Sequence, residues 1–169
     1  MYIYRKKKIM SEIEIRITPE EQMLKEFIQT FKGSLDLRLW MNLIEEELVE
    51  LRAEDYGTEA HLKELCDVMY VYNGMMLTIP KFAGDLIDEE ELAKINKIND
   101  TARDVITQFF NLYTAEVVGE AFTRVHKSNM SKLGRDGKPI FREDGKVLKG
   151  PDYKEPDLSN LILNKKDEQ

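Results

Sequence analysis

From residue 18 onward, apolar positions recur at three- and four-residue intervals, the spacing of one helix face, and polar breaks divide the pattern into segments. Thr18, Pro19 and Glu21 form a capping-box start with proline in the first helical position, and Gly33 supplies a stop, which predicts a helix over 19–32. Ser34 is the expected cap of a second helix, with Leu37, Trp40, Ile44, Leu48 and Leu51 as its apolar stripe and Gly57 as its end. A third helix is expected from Thr58 to about Thr78, ahead of Pro80. After a connection holding Pro80 and Gly84, Asp88 and Glu91 signal another start. Helical periodicity then continues to Gly119, as one long helix or as two broken near Asn99 and Asp100. A last helix is expected over about 120–131. Beyond it, Asp-Gly turns bracket "PIF" and "KVLK", the pattern of a hairpin. The expected architecture is all-α, a helical bundle of four to six helices over 18–131. An N-terminal arm over 1–17 precedes it, and a small C-terminal β-hairpin and extended tail over 132–169 follow.

Composition narrows the function classes. A chain of 169 residues, 42% of them hydrophobic, suits one core and a single domain. A formal charge of −7 argues against a general affinity for nucleic-acid backbone or anionic membrane. Cys66 is the single cysteine, so no intrachain disulfide forms and a reducing, cytoplasmic setting is expected. "MYIYRKKKIM" is followed by "SEIEIRI" and not by an apolar run, so neither a signal peptide nor a membrane anchor is expected.

The candidate chemistry lies in acids on two neighbouring helices. At about 100° per residue, Glu47 and Glu50 lie about 60° apart, and Glu46 and Glu50 form an i, i+4 pair. Glu47 falls at the edge of the apolar stripe, facing a helix interface. Glu64 and Asp67 share an i, i+3 spacing on a helix that is apolar almost all round. Buried carboxylates without partners cost several kcal/mol or take up protons. Within 43–77 only Arg52 and Lys63 are basic, so a cation is the natural compensation. Oxygen-only donors favour Mg²⁺, with Mn²⁺ as the other hard option. A solvated acidic face fits the first cluster better when it is taken alone, and Glu64 and Asp67 turn the balance toward a cation. A di-iron bundle needs Glu-x-x-His pairs, and neither His61 nor His126 has one. Cys66, Trp40 and the Met75–Met76 pair fit packing better than chemistry.

Glu46-Glu47-x-x-Glu50, then thirteen residues, then Glu64-x-x-Asp67, resembles the EExxE…ExxD signature of the all-α nucleoside triphosphate pyrophosphohydrolases. That superfamily includes MazG-like proteins, phosphoribosyl-ATP pyrophosphohydrolases and dimeric dUTPases. The segment from Glu120 to Tyr153 is similar to the C-terminal part of phage and bacterial phosphoribosyl-ATP pyrophosphohydrolase-like members, and the two regions together span roughly 35–157. The resemblance implies that Glu47, Glu50, Glu64 and Asp67 hold the metal. It also implies that Glu46 supports the site or helps orient water, with Glu46 and Glu47 as the catalytic pair.

A local reversal of charge at Arg124, Lys127, Lys132, Arg135 and Lys138 suits a polyphosphate, although cations at a helix C-terminus also serve as caps. Arg124, His126, Asn129 and Lys132 are the candidate substrate-binding residues, Asn129 and Lys132 foremost because the resemblance includes them; His126 fits a packed or surface position as well. The expected activity is metal-dependent cleavage of a nucleotide between its α and β phosphates. Phosphoribosyl-ATP is the alternative substrate, and a non-catalytic metal-binding helical module the alternative of another class. Apolar residues on more than one face of the third helix and of "VITQFF" suggest a homodimer or homotetramer.

Overall fold

The computed structural model describes residues 18–82 and 88–164; the arm over 1–17 and the connection around Gly84 lie outside the described residues. Among the described residues five α-helices follow one another: α1 (Pro19–Phe31), α2 (Leu37–Ala53), α3 (Glu59–Phe82), α4 (Glu89–Leu112) and α5 (Ala115–Met130), with a 3-10 turn at Ile162–Asn164. The all-α character expected from periodicity is present.

The first start signal works as read. Thr18 Oγ1 accepts from the Glu21 amide at 3.2 Å and Glu21 Oε2 accepts from the Thr18 amide at 3.1 Å. The stop differs, because Lys32 and not Gly33 takes the left-handed conformation at φ 51°. The cap of α2 is Asp36, two residues beyond Ser34. Its carboxylate accepts from the Arg38 amide at 2.9 Å, while Ser34 Oγ accepts from the Asp36 amide at 3.0 Å. α2 ends at Ala53, short of Gly57, and α3 continues beyond both Thr78 and Pro80 to Phe82.

The largest departure falls between the last two helices. α4 runs unbroken through Asn99 and Asp100 and stops at Leu112, whereas Gly119 lies inside α5. Tyr113 is the cause: it is fully buried and packs edge-on against Phe109 with ring centroids 5.8 Å apart. Burial of that ring fixes the corner, Thr114 caps α5 through the Val117 amide, and the glycine has no turn to make.

α3 is the central helix and packs against all four others, most extensively against α2. After α5 the chain forms a single antiparallel bridge, Phe141 with Val147, and no strand forms among the described residues. Two tight turns shape this segment, with Gly137 at φ 72° and Gly145 at φ 95°. The tail then crosses the bundle, where Leu158 and Leu161 join the core.

Candidate metal centre and adjoining chambers

The α2–α3 interface brings acids from both helices together. Glu47, Glu64 and Asp67 each present a carboxylate oxygen within 4.8 Å of the others. The i, i+3 spacing puts Glu64 and Asp67 on one face of α3, and Glu47 reaches them from the edge of the α2 stripe. Only 7% of the Glu64 side chain is exposed, and its Oε2 has no hydrogen-bond partner. Its Oε1 accepts from Lys63 Nζ at 2.7 Å, and the same ammonium reaches Asp67 Oδ2 at 2.7 Å.

Burial, and then the neighbouring Asp67 carboxylate, push the Glu47 carboxyl up to about 7, against the pull of Lys146. Burial likewise raises Glu64, opposed by Lys63. Burial is thus the first cause of both shifts, and a buried carboxylate oxygen within the cluster lacks a donor. An all-oxygen donor set of this kind fits a hard divalent cation.

This strain predicts an acid-side stability gain in metal-free protein. The Glu47 carboxyl holds its proton to about 7 when folded, against an ordinary value of 4.5. The associated stability is therefore complete below pH 4.5 and lost as pH rises through 7. It amounts to about 2–3 kcal/mol. Thermal melts in chelator at pH 5 and pH 8 should differ less for Glu47→Gln than for wild type, and Mg²⁺ should restore wild-type stability at pH 8. Equal pH dependence in the two proteins would remove Glu47 as its source.

Glu50, expected as a fourth ligand, is exposed and stands outside this close group at the mouth of the site. Glu46 points to other partners: Arg142 Nη2 donates to it at 2.6 Å, and Lys146 Nζ bonds its second oxygen. Although burial works against it, these bonds hold the Glu46 carboxyl below its ordinary range. Glu46 is thus a clasp for the segment after α5. Arg142 also grips Asp144 at 2.6 Å, and Lys146 continues to Glu47 Oε1 at 3.7 Å.

Two chambers meet at the carboxylates. One is largely apolar, walled by Phe27, Trp40, Tyr70 and Val71, with Ser34 and Asn129 among its polar lining. The other is basic, with Lys63, Lys132, Arg142, Lys146 and Lys149 around it. Glu47, Asp67, Asn129, Lys132 and Lys146 border both. Burial draws the Lys132 ammonium below its ordinary pKa, while Asp67 and Glu47 oppose that shift.

Of the four residues proposed for the substrate, Asn129 and Lys132 reach the chambers. Arg124 does not line either one: it donates to the Asp157 carbonyl at 2.8 Å and to Asn160 Oδ1 at 2.6 Å, tying down the tail. His126 is buried between Tyr70 Oη at 3.0 Å from Nδ1 and Glu26 Oε2 at 3.4 Å from Nε2, and desolvation lowers its pKa against the pull of Glu26. Its place is to steady Tyr70. Sequence reasoning passed over Arg142 and Lys146; their signal was a pair of cations flanking the Asp144-Gly145 turn.

Comparison of the chain with protein-family models, with curated proteins and with solved structures finds no match. Among the described residues no helix is long and apolar enough to cross a membrane.

Proposed function

We propose that this chain is a divalent-metal-dependent pyrophosphohydrolase that cleaves a nucleotide between its α and β phosphates, giving a monophosphate and pyrophosphate. The observation that carries the reading is the buried group of Glu47, Glu64 and Asp67, with Glu64 Oε2 unpartnered, opening onto a chamber lined by lysines and Arg142. Acids that hold a hard cation beside bases that hold phosphate oxygens are the two halves of a phosphoanhydride site.

When bound, Mg²⁺ or Mn²⁺ supplies Lewis acidity toward a phosphoryl oxygen and toward water. Glu47, Glu64 and Asp67 would hold that cation, with Glu50 at the mouth as a further carboxylate. Lys132, Lys146 and Arg142 hold the polyphosphate, and Glu46 keeps Lys146 in place. The apolar chamber takes the base against Trp40 and Tyr70, with the Asn129 amide fixing its orientation. Pyrophosphate release from a panel of NTPs, dNTPs and phosphoribosyl-ATP with Mg²⁺ tests the proposal. Release from none of them assigns the cluster to a non-catalytic metal-binding module.

Lys132 should serve the ligand more than the fold. Lys132→Ala is expected to lower kcat/KM by about 10- to 100-fold, the loss of one charge-assisted hydrogen bond. Its melting temperature should stay near that of wild type. Steady-state kinetics with the best substrate of the panel check this: kcat/KM within about twofold of wild type makes Lys132 a bystander.

A further inference from the structure

Lys63 occupies an unusual place for a surface-facing lysine. Its ammonium lies 2.7 Å from Glu64 Oε1 and 2.7 Å from Asp67 Oδ2, bridging two of the three clustered carboxylates. Its side chain is 27% exposed and lines the basic chamber, so a short swing about its flexible stem carries the charge from the carboxylates into that chamber. A lysine brings one positive charge to this cluster, and the Glu64 Oε2 it leaves unserved marks the remainder.

We propose that Lys63 is an exchangeable internal cation. It bridges Glu64 and Asp67 when the centre lacks metal, is displaced into the basic chamber by a divalent ion, and there becomes a ligand for the anionic substrate. The proposal rests on the metal-centre reading above and adds a regulatory consequence to it. Metal loading creates an anion ligand, and a bound anion removes the competitor for the carboxylates, so metal and anion bind with positive coupling. Lys132 and Lys146 border the chamber that receives Lys63.

The test follows the lysine itself in the wild-type full chain. Mn²⁺ binding is measured by electron paramagnetic resonance, and acetylation of individual lysines is followed by mass spectrometry in chelator, with Mg²⁺, and with Mg²⁺ plus inorganic phosphate. Breaking two charge-assisted bonds is expected to raise Lys63 acetylation by about tenfold on adding Mg²⁺. Lys97, exposed on α4, should stay constant as the internal reference. Phosphate should protect Lys63 again only in the presence of Mg²⁺, and Lys63→Met should bind Mn²⁺ about tenfold more tightly than wild type. Mn²⁺ binding without a rise in Lys63 acetylation overturns the exchange and leaves the metal centre standing. A rise that phosphate does not reverse overturns the anion-ligand half. Absence of Mn²⁺ binding in both wild type and Lys63→Met overturns the exchange and the metal centre together.

Discussion

Glu64→Gln is expected to lower metal-dependent pyrophosphate release by about a hundredfold or more while leaving the melting temperature of the metal-free protein unchanged or higher. The reasoning compares two environments of one side chain. In metal-free protein its charge is costly: burial raises its pKa, and one oxygen lacks any donor. The amide removes that charge and keeps the shape, which offsets the weaker bond to Lys63. Once the centre is loaded, the same substitution removes an anionic ligand from a buried three-carboxylate group. Activity and stability should therefore move apart, which a residue important only for packing does not allow. Circular dichroism melts in chelator and a pyrophosphate-release assay, run on the same preparation, decide the matter. Near-normal turnover would show that Glu64 is no ligand, and loss of folding would show that its buried side chain is needed for the packing of α3.

Gly74→Ala should produce a large loss of stability. Glycine inside a helix ordinarily costs about 0.5–1 kcal/mol relative to alanine, so propensity alone favours the substitution. Packing opposes it more strongly. A β-carbon at Gly74 would lie 2.1 Å from Trp40 Cζ3 and 2.3 Å from Cε3. Trp40 is 5% exposed, and its indole N–H donates to the Ser34 carbonyl at 3.2 Å, so the ring can retreat only by straining that bond and intruding on the apolar chamber it walls. Overpacking of this severity costs about 3 kcal/mol, and a net loss near 2 kcal/mol lowers the melting temperature by about 4–8 °C. Tryptophan fluorescence should shift as the ring moves. Combining the change with Trp40→Phe should recover part of the loss, because the two residues share one contact. A melting temperature at or above that of wild type would mean that the backbone of α3 and α2 separates without penalty.

The same contrast between local and distant causes explains what could be read from the chain. Thr18–Glu21 and the apolar stripe of α2 are local signals, and both helices stand close to where those signals place them. Glu47, Glu64 and Asp67 were legible for a related reason: like charges repeated at i, i+3 beside apolar positions have few inexpensive explanations. The α4–α5 boundary was not legible, because burial of Tyr113 decides it and Gly119 only imitates a stop. The partners of Glu46 and His126 were not legible, because they lie about a hundred positions away in sequence, at Arg142, Lys146 and Glu26. The partners of Arg124, Asp157 and Asn160 on the tail, were hidden in the same way. Residue type announced that these groups needed counter-charges, but only the fold chose which ones.

The clasp of Arg142 and Lys146 on Glu46 has a consequence for how the protein comes to be. Helix-forming contacts close short loops, whereas this clasp closes loops of 96 and 100 residues, and longer closures are entropically dearer and slower to find. The chambers should be the last part of the molecule to mature and the first to open, with the helices intact throughout. Amide hydrogen exchange would register this as a separate, low-energy unit: the Arg142 and Leu148 amides, held by Lys146 and Ile140 carbonyls at 2.8 Å, should exchange through local opening long before the amides of central α3. Binding competence and foldedness would then be distinct properties of one chain, since the chambers could open while the bundle stays formed.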